Sequence, residues 1–253
     1  MTLLRFVILL VAAALAPALF AQFRPTAPGP WTVGVRAGAG VGFRTLYDRE
    51  ASQLHEEIIG IRNEREVPRL ATGTVVSFAK RLGKHVGIEL GVGYAQLGWK
   101  HRVDLDARYQ LDQVDVRNGF IYAADAVLTK VTYSDRLNYV EAPVGVTFQF
   151  GRGHVRSVSS IGLGPAILAA ARGGTVFEYA DGSRNETRYP LATDTFTFNC
   201  FGYVSTGLAL RVGKLLEWRL QPTVRYGLLD LVNAPITAKV QSVTLDIGAR
   251  ITL

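Results

Sequence analysis

The sequence has few of the residues that stabilise small secreted domains or perform catalysis. It contains one cysteine, Cys200, so no disulfide can form within the chain. Its four histidines do not have the spacing of paired metal ligands, and none forms a Ser–His or Glu–His arrangement near a glycine elbow. We therefore expect no catalytic residue, no metal site and no cofactor. The histidines are His55, His85, His101 and His154.

The first 21 residues are typical of a secretory signal peptide. Arg5 precedes the apolar run Phe6–Leu15, and Ala18-Leu19-Phe20-Ala21 supplies small residues for cleavage. The alternative is a membrane anchor, but a spanning helix needs about 20 apolar residues and Pro17 interrupts this stretch. We expect cleavage after Ala21 or Ala18. No cysteine follows the run, which excludes a lipid-anchored lipoprotein.

The rest of the chain also lacks long apolar runs, although 48% of all residues are hydrophobic. The longest, Ile161–Ala171, contains Gly164 and Pro165 and is too short for a spanning helix. An exported chain of this kind is a water-soluble domain or a β-barrel, the other backbone arrangement that a bilayer tolerates. We expect a short periplasmic segment at residues 22–30 and one domain at residues 31–253.

Alternation of apolar with polar or glycine residues recurs along the chain and indicates β-strands. It is clearest in Val243–Leu253, where every odd-numbered residue is apolar. Seven further segments show the same period with varying clarity. The eight predicted strands are Trp31–Phe43, Leu70–Leu82, His85–Tyr94, Asn138–Phe150, His154–Ala171, Asp194–Val212, Glu217–Tyr226 and Val243–Leu253.

The connections between these strands alternate strictly between short and long. Gly83-Lys84, Gly151-Arg152-Gly153 and Gly213-Lys214 are suited to tight hairpin turns. The long links are residues 44–69, 103–135, 172–193 and 229–239. A soluble sandwich has no reason to sort its loops in this way, whereas outer-membrane barrels have short periplasmic turns and long extracellular loops. The sequence therefore predicts an all-β fold, an eight-stranded antiparallel up-and-down transmembrane β-barrel.

Two of the long links carry patterns of their own. Leu54, Ile58 and Ile61 have helical spacing, which predicts a solvated helix within Tyr47–Glu66 over the barrel mouth. The second link alternates after residue 103 and could extend strands beyond the membrane. Its carboxylates could bind a divalent cation, but we expect them only to be solvated. They are Asp104, Asp106, Asp112 and Asp115.

Periodicity alone does not show whether the apolar faces point inward or outward, but the residue types favour outward. Large aromatic residues lie at the strand ends of these faces, as two bands at the membrane interfaces require. They are Trp31, Phe148, Phe150 and Trp218 toward the short turns, and Phe43, Tyr94 and Tyr226 toward the long loops. The opposite faces are rich in glycine, which relieves crowding inside a narrow barrel.

The same glycine-rich faces carry charges of both signs in equal number. Eight strands enclose an interior just wide enough for side chains, where charge without a partner is costly. We therefore expect a network of ion pairs that closes the lumen, which argues against an open porin. The predicted network consists of Arg36, Arg219, Arg225 and Arg250 with Glu89, Glu141, Glu217 and Asp246.

Asn138-Tyr139-Val140-Glu141-Ala142-Pro143-Val144 is followed by an apolar strand and then by Phe150-Gly151. This segment resembles the NYLEIP…FG signature of one family, the PorT-like outer-membrane barrels of Bacteroidota. Residues 91–98 and 226–231 are similar to its third strand and last hairpin. The resemblance implies an outer-membrane barrel with Glu141 and Pro143 in structural, inward-facing positions. Such barrels usually end in an aromatic residue, whereas this chain ends in Leu253.

These observations together predict a non-enzymatic, structural or partner-binding protein of the bacterial outer membrane. The net charge of +7 suits lipid headgroups and lipopolysaccharide better than nucleic acid, which an exported protein rarely meets. We expect a monomer that contacts other envelope or secretion proteins. A component of a secretion apparatus of type IX is the alternative. A small-solute pore, or a lipid-modifying enzyme using His101 near Asp104, ranks below both.

Overall fold

The computed structural model describes residues 30–50, 53–104, 128–151, 153–190, 196–213, 215–232 and 234–253. The predicted signal peptide and the carboxylates of Asp106, Asp112 and Asp115 lie outside these ranges. So do the side chains of Leu54 and Ile58, two of the three residues on which the helix prediction rested.

The described residues form one helix and ten strands. In chain order they are β1 (Trp31–Asp48), α1 (Gln53–Arg65), β2 (Glu66–Arg81), β3 (Val86–Asp104), β4 (Leu128–Glu141), β5 (Val144–Phe150), β6 (Val155–Tyr179), β7 (Arg184–Pro190), β8 (Phe198–Val212), β9 (Leu216–Gly227) and β10 (Ile236–Thr252). The helix lies inside the range that the sequence predicts. No helix among the described residues is long and apolar enough to cross a membrane.

Antiparallel pairing joins these strands into a closed ring. Each of β1, β2 and β3 pairs with its neighbour along the chain, β3 pairs with both β4 and β5, and these two pair with β6. The ring continues through β8, β9 and β10 and closes where β10 pairs with β1. Because β4 and β5 are successive parts of one strand, the barrel has eight strands, which confirms the predicted fold class.

The break between β4 and β5 falls at Ala142-Pro143. Proline has no backbone N–H and cannot donate to a sheet. The neighbouring bonds nevertheless continue, since Gly91 N donates to Pro143 O at 2.8 Å and Ala142 N donates to Pro165 O at 2.9 Å. The proline therefore divides the strand into β4 and β5, but hydrogen bonds on both sides keep the barrel wall closed.

The three short turns and both ends of the domain lie at one end of the barrel, the short-turn end. Leu253 N donates to Trp31 O, and Thr252 N donates to Leu215 O, both at 2.9 Å. The turn glycines Gly151 and Gly213 have φ of 111° and 67°, values that only glycine adopts without strain. The sorting of short and long connections to opposite ends is confirmed.

The long links contain more strand than the sequence predicts. β6 runs for 25 residues, whereas a strand needs roughly 9–11 to cross a bilayer. Its last part pairs with β7, from Arg172 opposite Pro190 to Glu178 opposite Arg184, so residues 172–190 are a hairpin and not an irregular loop. β3 and β4 also continue past their predicted ends, to Asp104 and from Leu128. We call the projecting parts of β3, β4, β6 and β7 the outer sheet.

The barrel is apolar on its outside, and its interior is polar in the half nearer the short-turn end. Val92 is 65% exposed and Leu163 is 52% exposed, whereas Glu141 is 3% exposed and Thr223 is 1% exposed. A soluble barrel would have the opposite distribution, because its apolar faces must leave water. An apolar outer surface over a polar interior is the arrangement of a barrel in lipid. The predicted direction of the apolar faces is therefore the observed one.

Candidate functional site in the barrel interior

An ion pair between Glu141 and Arg225 crosses the middle of the lumen. Glu141 ends β4, and Arg225 lies on β9, three barrel strands further round. Arg225 Nη1 donates to both carboxylate oxygens of Glu141 at 2.9 Å, and both side chains are buried. Charge-assisted hydrogen bonds are stronger than neutral ones. Removal of one partner from a buried ion pair is strongly destabilising, because the other charge is then left without a partner. The pair therefore ties two distant parts of the wall together.

A second layer of polar contacts lies closer to the short-turn end. Arg250 Nη2 donates to Glu89 Oε2 across the lumen, from β10 to β3. Arg219 Nε donates to Glu217 Oε1 at 2.7 Å along β9. Gln149 Nε2 donates to both oxygens of the same Glu217 carboxylate, at 3.0 and 3.1 Å. Six of the eight charged side chains of the predicted network thus form three pairs of opposite charge.

The two remaining charged side chains, Arg36 and Asp246, do not pair with each other. Asp246 accepts hydrogen bonds from the hydroxyls of Thr223 at 2.9 Å and Thr244 at 2.8 Å. The Arg36 guanidinium lies 5.8 Å from the centre of the Tyr203 ring, and its Nε has no hydrogen-bond partner among the described residues. Nearby hydroxyls therefore hold the Asp246 carboxylate.

The outer half of the lumen is filled by an apolar cluster, which the sequence reasoning missed. Its ring pair Tyr139 and Phe201 makes an edge-to-face contact with centroids 5.3 Å apart. Ile59 of α1 packs against the cluster from above. We call this cluster the apolar plug. Its buried members are Leu46, Ala71, Leu97, Trp99, Leu137, Tyr139, Ala166, Phe201, Leu231, Ala238 and Val240.

The sequence does carry a signal for the apolar plug. In β3 the inward face is made by odd-numbered residues, beginning with Gly87 and Glu89. The same face reaches Leu97 and Trp99 further along, where large apolar side chains replace glycine and charge. Large apolar residues on the face that elsewhere carries glycine and charge indicate that the interior at this height is apolar.

Glycine makes room for a large side chain in the narrow lumen near the ion pairs. The Tyr203 hydroxyl lies 2.3 Å from the position of a Cβ added at Gly145, and 2.6 Å from one added at Gly162. Backbone oxygens also lie too close, with Ile161 O at 2.7 Å from the Gly145 position and Val144 O at 2.2 Å from the Gly162 position. Both positions therefore exclude a larger residue even if Tyr203 moves. The abundance of inward glycine that the sequence shows is thereby explained at this level of the barrel.

The seven predicted interfacial aromatics lie on the outer face, with different degrees of exposure. Trp31, Trp218, Tyr94 and Tyr226 are exposed, whereas Phe43, Phe148 and Phe150 are half-buried. Trp218 and Tyr226 are eight positions apart on β9. At about 3.4 Å per residue and a tilt of about 40° this separation spans roughly 20 Å of height. Such a spacing is close to the apolar band of about 25 Å in outer-membrane barrels.

Cations accompany the aromatics at both heights. Lys80 Nζ lies 4.9 Å from the centre of the Trp31 ring, and Lys239 Nζ lies 5.7 Å from that of Tyr226. A lysine beside an exposed aromatic ring can lay its alkyl chain on an apolar surface and keep its ammonium at the polar boundary. These contacts support the prediction that the aromatics mark the two membrane interfaces.

The residues considered for chemistry are not brought together. His55 contacts Asp48 at 3.1 Å, and His85 stacks on Phe150 with ring centres 5.2 Å apart. The His101 ring lies against Tyr133, and Cys200 is half-buried on β8. Among the described residues, no three His, Cys, Asp or Glu side chains are placed to hold a metal ion.

No known family model matches the sequence, and no curated protein sequence matches it. Among solved structures, Neisserial surface protein A is similar to this chain over 90% of this chain and 100% of that chain, with 14% identity and a TM-score of 0.41. OprG, an outer membrane protein from Pseudomonas aeruginosa, is similar over 89% and 96%, with 12% identity and a TM-score of 0.40. Ail, the attachment invasion locus protein of Yersinia pestis, is similar over 88% and 99%, with 12% identity and a TM-score of 0.34. The assignment of the fold depends on the strand pairing alone.

Proposed function

We propose that this protein is a non-enzymatic component of the bacterial outer membrane, with a closed barrel as its anchor and the outer sheet as its binding surface. The observation that carries the proposal is the filling of the lumen. The apolar plug lies above the buried Glu141–Arg225 pair, and both lie inside a wall whose outer surface is apolar. A barrel whose lumen is closed by both an ion pair and apolar packing is suited to anchoring the outer sheet in the membrane.

Location and processing are tested by the fate of the full chain in a Gram-negative host. We expect fractionation with the outer membrane, a shift between boiled and unboiled gel samples, and a mature N-terminus at Gln22 or Leu19. Heat-modifiable migration is expected because barrel unfolding requires the closed ring to open. Recovery as a soluble monomer without detergent would contradict the proposal.

Closure of the lumen is tested by conductance. We expect no steady current from the purified protein in planar bilayers, because eight strands enclose only enough space for side chains, and here they fill it. The control is a general-diffusion porin that is purified in the same way and measured in the same kind of bilayer. A stable single-channel step would favour the small-solute pore instead.

The outer sheet offers a surface that a partner could recognise. Arg184, Glu186 and Arg188 are exposed on β7, which pairs with β6 on one side. Arg188 Nε donates to Glu186 at 2.9 Å, and this hydrogen bond lowers the pKa of the Glu186 carboxyl. At the hairpin tip, Ser183 donates to Asp181 and lowers the pKa of that carboxyl too. The projecting hairpin is therefore charged at neutral pH. The edge of β7 away from β6 has no partner among the described strands, and its backbone N–H and C=O groups could pair with a partner strand of complementary charge.

The alternative is a role in a secretion or assembly apparatus, which the resemblance to PorT-like barrels supports. Two exposed cations at opposite ends distinguish the two roles, Arg184 on β7 and Lys84 in the β2–β3 turn. The native protein is captured in mild detergent, and its partners are compared with those of R184E and K84E. Loss of a partner in R184E alone supports binding by the outer sheet, whereas loss in K84E alone supports periplasmic assembly.

A further inference from the structure

The mouth of the barrel at the short-turn end is a recess lined with arginine. It opens between the ends of all eight barrel strands, on the inner side of the wall. Thr32, Thr147 and Gln149 add neutral polar groups to its lining. Glu217 is the one carboxylate among the described lining residues. The charged groups of the argument are Arg81, Arg156, Arg211, Arg219, Arg250 and Glu217.

Positive charge exceeds negative charge in this recess. Arg219 pairs with Glu217, and Arg250 pairs with Glu89 just below the recess. Arg219 and Arg250 face these two carboxylates, which leaves the positive charges of Arg81 and Arg156 in excess. Lys80 also lines the recess, but its ammonium lies over the Trp31 ring. Deeper in the lumen, the charges of Glu141 and Arg225 neutralise each other. The excess of positive charge is therefore a local feature of the mouth.

The hydrogen bonds of two of these arginines do not neutralise them. Arg81 Nη2 donates to the amide oxygen of Gln149 at 2.7 Å, and Arg156 Nε donates to the backbone oxygen of Gly153 at 3.4 Å. Neither acceptor carries a charge. In a space bounded by protein, positive groups that face one another favour the entry of an anion.

A buried donor at the base of the recess is also without a partner. Arg219 is 9% exposed, and its Nη1 has no hydrogen-bond partner among the described residues, although Nε of the same side chain is bound to Glu217. A buried N–H that makes no hydrogen bond is costly, and such a group commonly marks a site for a ligand, an ion or water. The recess therefore combines excess charge at its rim with a free donor at its base.

We propose that this recess binds an oxyanion of the phosphate class that approaches from the short-turn side. Guanidinium groups match phosphate oxygens in pairs, and a tetrahedral anion can accept from several arginines because its oxygens point in different directions. A doubly charged anion would neutralise the excess that Arg81 and Arg156 leave. The site lies at the end opposite the outer sheet, so it is independent of the partner proposed there.

The test uses the full mature protein in phosphatidylcholine nanodiscs, titrated with inorganic pyrophosphate at low ionic strength in a calorimeter. The test variant is R81Q/R156Q, which removes two positive charges from the recess. The matched control is R184Q/R188Q, which removes two from the exposed strand β7 at the other end. We expect binding to weaken about tenfold for each arginine lost from the recess, since a hydrogen bond to a charged group is worth about that much. The control should bind as the unmodified protein does.

The shift between boiled and unboiled gel samples establishes that each variant is folded. No pyrophosphate binding by the unmodified protein, or equal weakening in both double variants, would overturn the proposal. Nanodiscs containing phosphatidylglycerol identify the source of the anion. Weaker pyrophosphate binding there, for the unmodified protein and not for R81Q/R156Q, supports the site with a lipid headgroup as occupant. Unchanged binding supports the site with a soluble anion as occupant.

Discussion

The two halves of the barrel interior are closed by different chemistry, although the same eight strands build both. Toward the short-turn end the lumen is spanned by Glu141–Arg225 and Glu89–Arg250, and glycines admit large side chains between them. Toward the long-loop end it is filled by the apolar plug, with α1 above it. Closure of the first half depends on ion pairs in which both partners must be present. Closure of the second half depends on how completely apolar side chains fill its volume.

This difference bears on what each half can tolerate and do. A buried ion pair contributes little net stability over an apolar pair of the same size, but loss of one partner is severe. An apolar cluster loses stability in proportion to the atoms and volume removed. Polar contacts also allow the excess arginine at the mouth, which an apolar interior could not accommodate. The charged half is therefore the one suited to ligands, and the apolar half is suited to sealing.

The largest effect should come from breaking the central ion pair. Glu141→Gln leaves Arg225 buried with no negative charge beside it, and such a loss costs about 3–5 kcal/mol. The loss of stability is measured by unfolding in urea in detergent micelles, with the gel shift as the readout of the folded fraction. The double variant E141L/R225M should recover most of the loss, because it removes both charges together. An unchanged urea midpoint in E141Q would show that the pair does not hold the wall.

A slightly smaller effect should come from opening a cavity in the apolar plug. Leu137 is fully buried, and Leu137→Ala should lower the free energy of unfolding by about 2–4 kcal/mol, as the removed atoms leave a void. The control is Leu163→Ala on the outer face, where lipid or detergent fills the space and the cost stays well below about 1 kcal/mol. Equal losses in the two variants would mean that the outer lumen is not tightly packed.

The sequence predicted the wall of the barrel better than its contents. Strand period and turn glycines are local signals, so Val243–Leu253 and Gly213 could be placed without knowing their neighbours. The length of β6 could not be predicted, because Gly173 and Gly174 indicate a loop unless it is known that β7 pairs with them. The partner of Asp246 depends on which residues the closed ring brings near it, and these turned out to be Thr223 and Thr244.

The charged network and the apolar plug illustrate the same limit. The sequence places charge and glycine on one face of each strand, which predicts a polar interior. It also places Leu97, Trp99 and Leu137 on that face, at the outer ends of their strands. Those residues lie beyond the predicted ends of their strands, and their shared height in the barrel becomes visible only when the register of pairing is known. Local patterns thus give the polarity of a face, while register decides which side chains meet.

The smallest of the three effects should come from filling the space beside Tyr203 in the charged half. Gly145→Ala places a methyl group 2.3 Å from the present position of the Tyr203 hydroxyl, and such overpacking costs about 1–3 kcal/mol. Removing that hydroxyl with Tyr203→Phe should relieve part of the strain, so the double variant should be more stable than the sum of the two single changes predicts. The backbone oxygen of Ile161 lies 2.7 Å from the same methyl position, so the relief should be incomplete. Gly60→Ala in α1 is the matched control, because nothing lies within 4 Å of the added methyl group there. Urea unfolding of the four variants and the unmodified protein measures the coupling. Strictly additive losses would place Tyr203 elsewhere in the lumen and would leave the inward glycines of this half without a packing role.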